Sequence, residues 1–117
     1  MKDVNAKIMH KDKEYTLVFN LNVMEEIQTE YDSVGAWAKL TSGEQNDGEP
    51  NAKAVLYGLT KMINEGIEIS NEETGANNKP LTVRQVGRII SEIGLEKAVE
   101  TLHKTVIAST ESKEKNA

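Results

Sequence analysis

Tyr15-Thr-Leu-Val-Phe-Asn-Leu-Asn-Val-Met-Glu-Glu-Ile-Gln28 changes its period partway along. Tyr15, Leu17 and Phe19 alternate with Thr16, Val18 and Asn20, the two-residue spacing of a strand with one buried face. Beyond Asn20, Val23, Met24, Ile27 and then Tyr31 recur at helical spacing. Upstream, Val4, Ala6 and Ile8 alternate with Asn5 and Lys7, so Val4 to Asn20 is expected to form a β-hairpin. Lys11, Asp12 and Lys13 supply its polar turn, with Asp12 suited to a type I geometry. Asn22 and Glu25 have capping-box spacing at the head of the helix, and Asn20 is a competing cap.

The pattern downstream is helical. Ser33 is the expected N-cap of a short helix running through Trp37 to Leu40. Thr41 to Glu49 reads as a loop, and Pro50 suits the first turn of the next helix. Ala52, Val55, Leu59, Met62 and Ile63 make one apolar stripe, with Gly66 placed for a left-handed cap. Residues 67–80 read as the longest irregular stretch. Ile67 and Ile69 are a candidate short strand there, and Ser70 to Pro80 an exposed, mobile loop. Thr82 and Gln85 then form a capping box, with Leu81 placed to staple onto Val86. Val83, Val86, Ile89, Ile90 and Ile93 line one face before Gly94 stops the helix. A last helix carries Leu95, Ala98, Val99, Leu102 and Val106. Ser109 to Ala117 has no large apolar residue and reads as a disordered tail. The expected fold is therefore α+β but helix-dominated: one domain over residues 1–108, with an N-terminal β-hairpin and four or five helices, then a tail over 109–117.

Composition narrows the function. The 117 residues suit one core, and with only 4% aromatic residues that core rests on aliphatic side chains. The net charge is −5 and the 14 basic residues are scattered, unlike the clustered charge that nucleic-acid binding needs. Without cysteine there is no disulfide, thiolate ligand or thiol nucleophile. No run approaches the length of a membrane span, and the first twenty residues do not resemble a signal peptide.

Chemistry-bearing patterns are sparse. His10 and His103 have no histidine at i+3 or i+4, so a structural role is expected and no metal site. Glu25 with Glu26 and Glu72 with Glu73 sit in polar stretches, without the desolvation a catalytic carboxylate needs. Gly43 and Gly48 lack the Lys-Ser/Thr of a phosphate loop. Neither a cofactor nor a small-molecule substrate is expected, and the chain reads as a protein-binding module, not an enzyme. Three residues stand out as candidate partner contacts. Tyr57 falls nearly opposite the stripe of its helix, and Ile107 about 100° from the stripe that ends at Val106. Both read equally as isolated surface residues or as part of a self-association or partner surface. Trp37 reads as a core anchor or as an interface hot spot.

The Tyr15–Gln28 stretch, with its "Phe-Asn-x-Asn" run before an acidic helix, resembles the N-terminal signature of phage tail assembly chaperones from phages and prophages of Gram-positive hosts. Asn64-Glu-Gly-Ile-Glu-Ile-Ser-Asn-Glu-Glu and Pro80-Leu-Thr-Val-Arg-Gln-Val-Gly-Arg-Ile-Ile are similar as well, as is the helix from Glu96 to Thr110. The resemblance implies a non-enzymatic role in the host cytoplasm. Such chaperones coat the long helical tape measure protein, help the tail tube protein polymerise around it, and are absent from the finished virion. The partners implied are thus the tape measure and tail tube proteins, with homo-oligomerisation along the bound chain. A longer form made by a minus-one frameshift near Glu114-Lys115-Asn116 is a further implied feature. The rival reading is a structural virion component, such as a head–tail connector or tail terminator subunit. A transcriptional regulator is disfavoured by the acidic charge. That last point is testable: the protein should show no gel shift with duplex DNA at physiological salt, and a shift surviving that salt would restore the regulator reading.

Overall fold

In the computed structural model, which describes residues 6–115, a two-stranded antiparallel hairpin precedes five helices. The order is β1 (Lys7–His10), β2 (Lys13–Thr16), α1 (Leu21–Tyr31), α2 (Val34–Ser42), α3 (Ala52–Thr74), α4 (Val83–Ile93) and α5 (Leu95–Lys115). This is the helix-dominated α+β domain expected from the sequence. Ile8 pairs with Tyr15 and His10 with Lys13, so the turn is the two residues Lys11 and Asp12. Lys11, not a glycine, takes the positive φ of 57° there. A positive φ at the first central residue belongs to the mirror-image turns that match strand twist, and the type I expectation gives way to it. The paired strands are shorter than expected, and Val4 and Asn5 lie outside the described residues.

Past Thr16 the chain stays extended but changes partner. Leu17 still donates its N–H to the Ala6 carbonyl at 2.8 Å, whereas Val18 donates to the Met62 carbonyl of α3 at 3.2 Å. Asn20 then caps α1, its side chain accepting from the Val23 N–H at 3.2 Å, and the competing Asn22–Glu25 box does not form. Asn22 instead donates to Glu65 on α3 at 3.1 Å, and the Asn20 amide donates to the same carboxylate oxygen at 2.7 Å. The Asn-x-Asn pattern thus anchors the strand-to-helix junction on α3.

Helix α3 is longer than its sequence suggested. Residues 67–74 continue it, so neither a strand at Ile67–Ile69 nor an irregular stretch from 67 exists, and the left-handed cap is Gly75, with φ 78°. Gly66 lies mid-helix because the strand crosses there: a Cβ on Gly66 would stand 2.5 Å from the Thr16 carbonyl oxygen. Gly58, two turns earlier, faces the Trp37 ring, which a Cβ would overlap. Trp37 is fully buried and its indole N–H donates to the Ala54 carbonyl at 2.9 Å. At the other end Asn51 is the N-cap, so Pro50 precedes the helix and is not in its first turn.

The loop after Gly75 is strapped back along α3 by two asparagines. Asn71 donates to the Asn78 carbonyl and accepts the Asn78 N–H; Asn64, two turns earlier, does the same with Leu81, at 2.9 and 2.8 Å. Each amide side chain stands in for a strand's peptide group. Thr82 and Gln85 then make the expected capping box of α4, and Gly94 ends that helix with φ 101°. Helix α5 extends through Lys115, so the boundary expected at residue 108 is not where the helix stops. Ser109, assigned to the tail by its polarity, donates to the Phe19 carbonyl at 3.0 Å, and residues 116–117 lie outside the described residues.

In an ordinary helical site Gly→Ala stabilises by about 0.5–1 kcal/mol. Gly35 in α2, where a Cβ meets nothing nearer than 3.9 Å, should behave so. Gly58→Ala and Gly66→Ala should instead destabilise by about 1–3 kcal/mol, the usual range for overpacking. Denaturant midpoints of the three variants check the reversal, and a stabilised Gly66→Ala would disprove the strand-on-helix contact.

Candidate functional site

Of the three side chains singled out in the sequence, Trp37 and Ile107 line one cavity, and Tyr57 lies apart against α1. Trp37 is fully buried between α2 and α3, an anchor of the core, and it backs the cavity that Ile107 borders. Tyr57 is half-buried and faces α1. Its hydroxyl donates to the Glu26 carbonyl at 3.1 Å, its ring meets Tyr31 edge-on at 5.5 Å, and Lys61 lies over it at 5.4 Å from the centroid. It escaped the core stripe because α3 is packed on several sides, and a single stripe understates such a helix. Ile107 alone of the three is well exposed, at 56%. It borders a shallow cavity of about 320 Å³ between α2 and α5, with Trp37, Ala38, His103, Val106, Lys39 and Glu44.

The two histidines work as ties between elements. His10 and Glu92 join the hairpin to the end of α4 at 2.8 Å. His103 Nε2 lies 2.9 Å from the Thr41 hydroxyl, which in turn donates its one proton to the Ala38 carbonyl. The Thr41 hydroxyl thus ties α2 to His103 on α5. Among the described residues no group of three His, Asp or Glu side chains is placed to hold a metal ion, and no helix is long and apolar enough to cross a membrane.

An apolar opening lies between α3 and α4, as a groove of about 600 Å³. Leu56 and Ala52 from α3, Val83 and Gly87 from α4, and Leu95 at the start of α5 line it, with Arg84 and Arg88 on its α4 wall. Its cause is legible in the packing. Val86, Ile89 and Ile90 carry α4 into the core, which leaves Val83 turned outward with half its surface exposed. Leu95, at 38% exposure, ends the groove. Both fall on apolar stripes for which the sequence predicts burial, and both are exposed. Gly87 lowers the α4 wall: a Cβ there would touch only Leu56, at 3.6 Å. Apart from Ser91 the groove's polar side chains are the two exposed arginines. No buried polar group converges on its floor, which is the feature that orients small molecules in a binding site.

The sequence carries a clue to this site. Of the chain's 14 basic residues only two are arginine, and they stand four apart as Arg84 and Arg88. Arginine is the basic residue enriched at protein interfaces. Comparison with protein-family models, with curated proteins and with solved structures returned no match.

Burial pushes the His103 imidazole below its ordinary value of 6.5. The folded state then binds that proton less readily than the unfolded state does. Its stabilising contribution is whole above pH 6.5 and is lost as pH falls from there towards the depressed folded value. The melting temperature should drop as pH falls below 6.5, and His103→Gln should make that drop smaller. Equal drops in both proteins would remove His103 as the cause.

Proposed function

We propose that this protein is a tail assembly chaperone that holds the helical tape measure protein in solution while the tail tube forms around it. The observation that carries the reading is the open groove between α3 and α4. Its lining of Leu56, Val83 and Leu95, with Gly87 between, is an apolar surface of the kind an amphipathic helix covers. Leaving such residues to solvent costs burial that a partner would restore, at about 25 cal/mol per Å² of apolar surface. The sequence resemblance, which spans most of the chain, supports the same role. Tight binding by one copy is not required, because many copies along one long chain gain from avidity.

Coexpression supplies the test. The tape measure protein should move from the insoluble to the soluble fraction when this protein is present, and should copurify with it. Val83→Asp combined with Leu95→Asp puts charge on the exposed groove wall and should lower the recovered complex about tenfold, equivalent to about 1.4 kcal/mol. Circular dichroism should show that variant folded. A tape measure protein that stays insoluble with the unaltered chaperone, or copurifies equally with the variant, contradicts the proposal.

A further inference from the structure

We infer that the α3–α4 groove selects an acidic amphipathic helix, whose carboxylates pair with Arg84 and Arg88 while its apolar face covers Leu56, Val83 and Leu95. The inference rests on the reading of this groove as a partner-binding site and adds the chemistry of the partner.

Helix α4 pays two local electrostatic penalties. Arg84 stands in the first helical turn, which holds no acidic residue, so a cation faces the positive end of the helix dipole. Arg84 and Arg88 are also i and i+4, where like charges repel. A solvated face would relieve both with a glutamate, as the rest of this acidic chain offers in abundance. Here no ion pair supplies that relief. Among the described residues neither arginine forms an ion pair, and Glu92, one turn beyond Arg88, is engaged with His10. Breaking local rules without an internal compensation is the mark of a functional position.

The residue type matters as well. Every other basic residue of the chain is lysine, and the two guanidinium groups both flank the one groove. Guanidinium groups bind carboxylates bidentately and are desolvated at lower cost than ammonium groups. Two cations on one helical turn match two carboxylates on one turn of a facing helix. Nucleic acid is a poor match, since two arginines on a chain of net charge −5 do not make a counterion-releasing surface.

Two synthetic helical peptides with the same apolar face test this, one with Glu and one with Lys at the flanking positions, titrated against the full chain by fluorescence anisotropy. The Glu peptide should bind about tenfold more tightly at low salt, and the gap should narrow as salt screens the pairs. Arg84→Glu with Arg88→Glu should invert the preference, while Arg84→Lys with Arg88→Lys should keep its sign and reduce its size. Equal affinity for both peptides, or a preference indifferent to the charge reversal, overturns the inference and leaves the groove reading intact. If neither peptide binds but the tape measure protein is still kept soluble, the acidic-helix inference fails and the chaperone reading stands. Loss of solubilisation as well defeats both. Sedimentation closes the remaining case. If the reversal dissociates copies of the chain without altering peptide binding, the arginines serve self-association and the inference is overturned.

Discussion

Helix α3 has to be approached closely on more than one side, and Gly58 and Gly66 are where that is possible. Trp37 lies against Gly58 with its N–H on the Ala54 carbonyl, and the strand leaving the hairpin crosses at Gly66. Each glycine gives up helix propensity so that a neighbour reaches the backbone. The remaining elements depend on those two seatings. With the strand fixed at Gly66, Val18 reaches the Met62 carbonyl, and Asn20 and Asn22 reach Glu65. With Trp37 fixed at Gly58, α2 is docked and Thr41 meets His103 on α5.

The same central helix positions the groove. Asn71 and Asn64 strap the loop along α3, and that strap delivers Thr82 to cap α4 at a set height. Helix α4 buries Val86, Ile89 and Ile90, and the His10–Glu92 contact holds its far end. The outward side, with Val83, Arg84, Gly87 and Arg88, is then presented on a framework fixed at both ends. A surface held in this way meets a partner without first paying to order itself, which favours affinity.

Local signals in the sequence were read correctly where the cause was local. The alternation around Ile8 and Tyr15, Ser33 at the head of α2, the Thr82–Gln85 box and the stop at Gly94 all act within a few residues. The misreadings have causes distant in the chain. Gly66 looks like a cap unless Thr16 is known to cross it, and the Asn-x-Asn run looks like a choice of caps unless Glu65, which holds both amides, is known to lie opposite. Ser109 looks like tail until Phe19 offers a carbonyl. Tyr57 reads as a surface residue until α1 is placed against α3. At the groove, Val83 and Leu95 are legible as apolar, but their exposure depends on which faces of α4 and α5 the core takes. The arginine pair was the one sequence feature that pointed there.

The central claim is that partner helices are held in the α3–α4 groove and not elsewhere on the surface. Backbone amide shifts, recorded by NMR on the labelled protein as an amphipathic helical segment of the tape measure protein is added, test it most directly. The account predicts that the largest shifts cluster at Ala52, Leu56, Val83, Gly87 and Leu95, with α1 and the hairpin little changed. Shifts centred on α1, or on the Ile107 side of α5, with the groove residues unmoved, would contradict it.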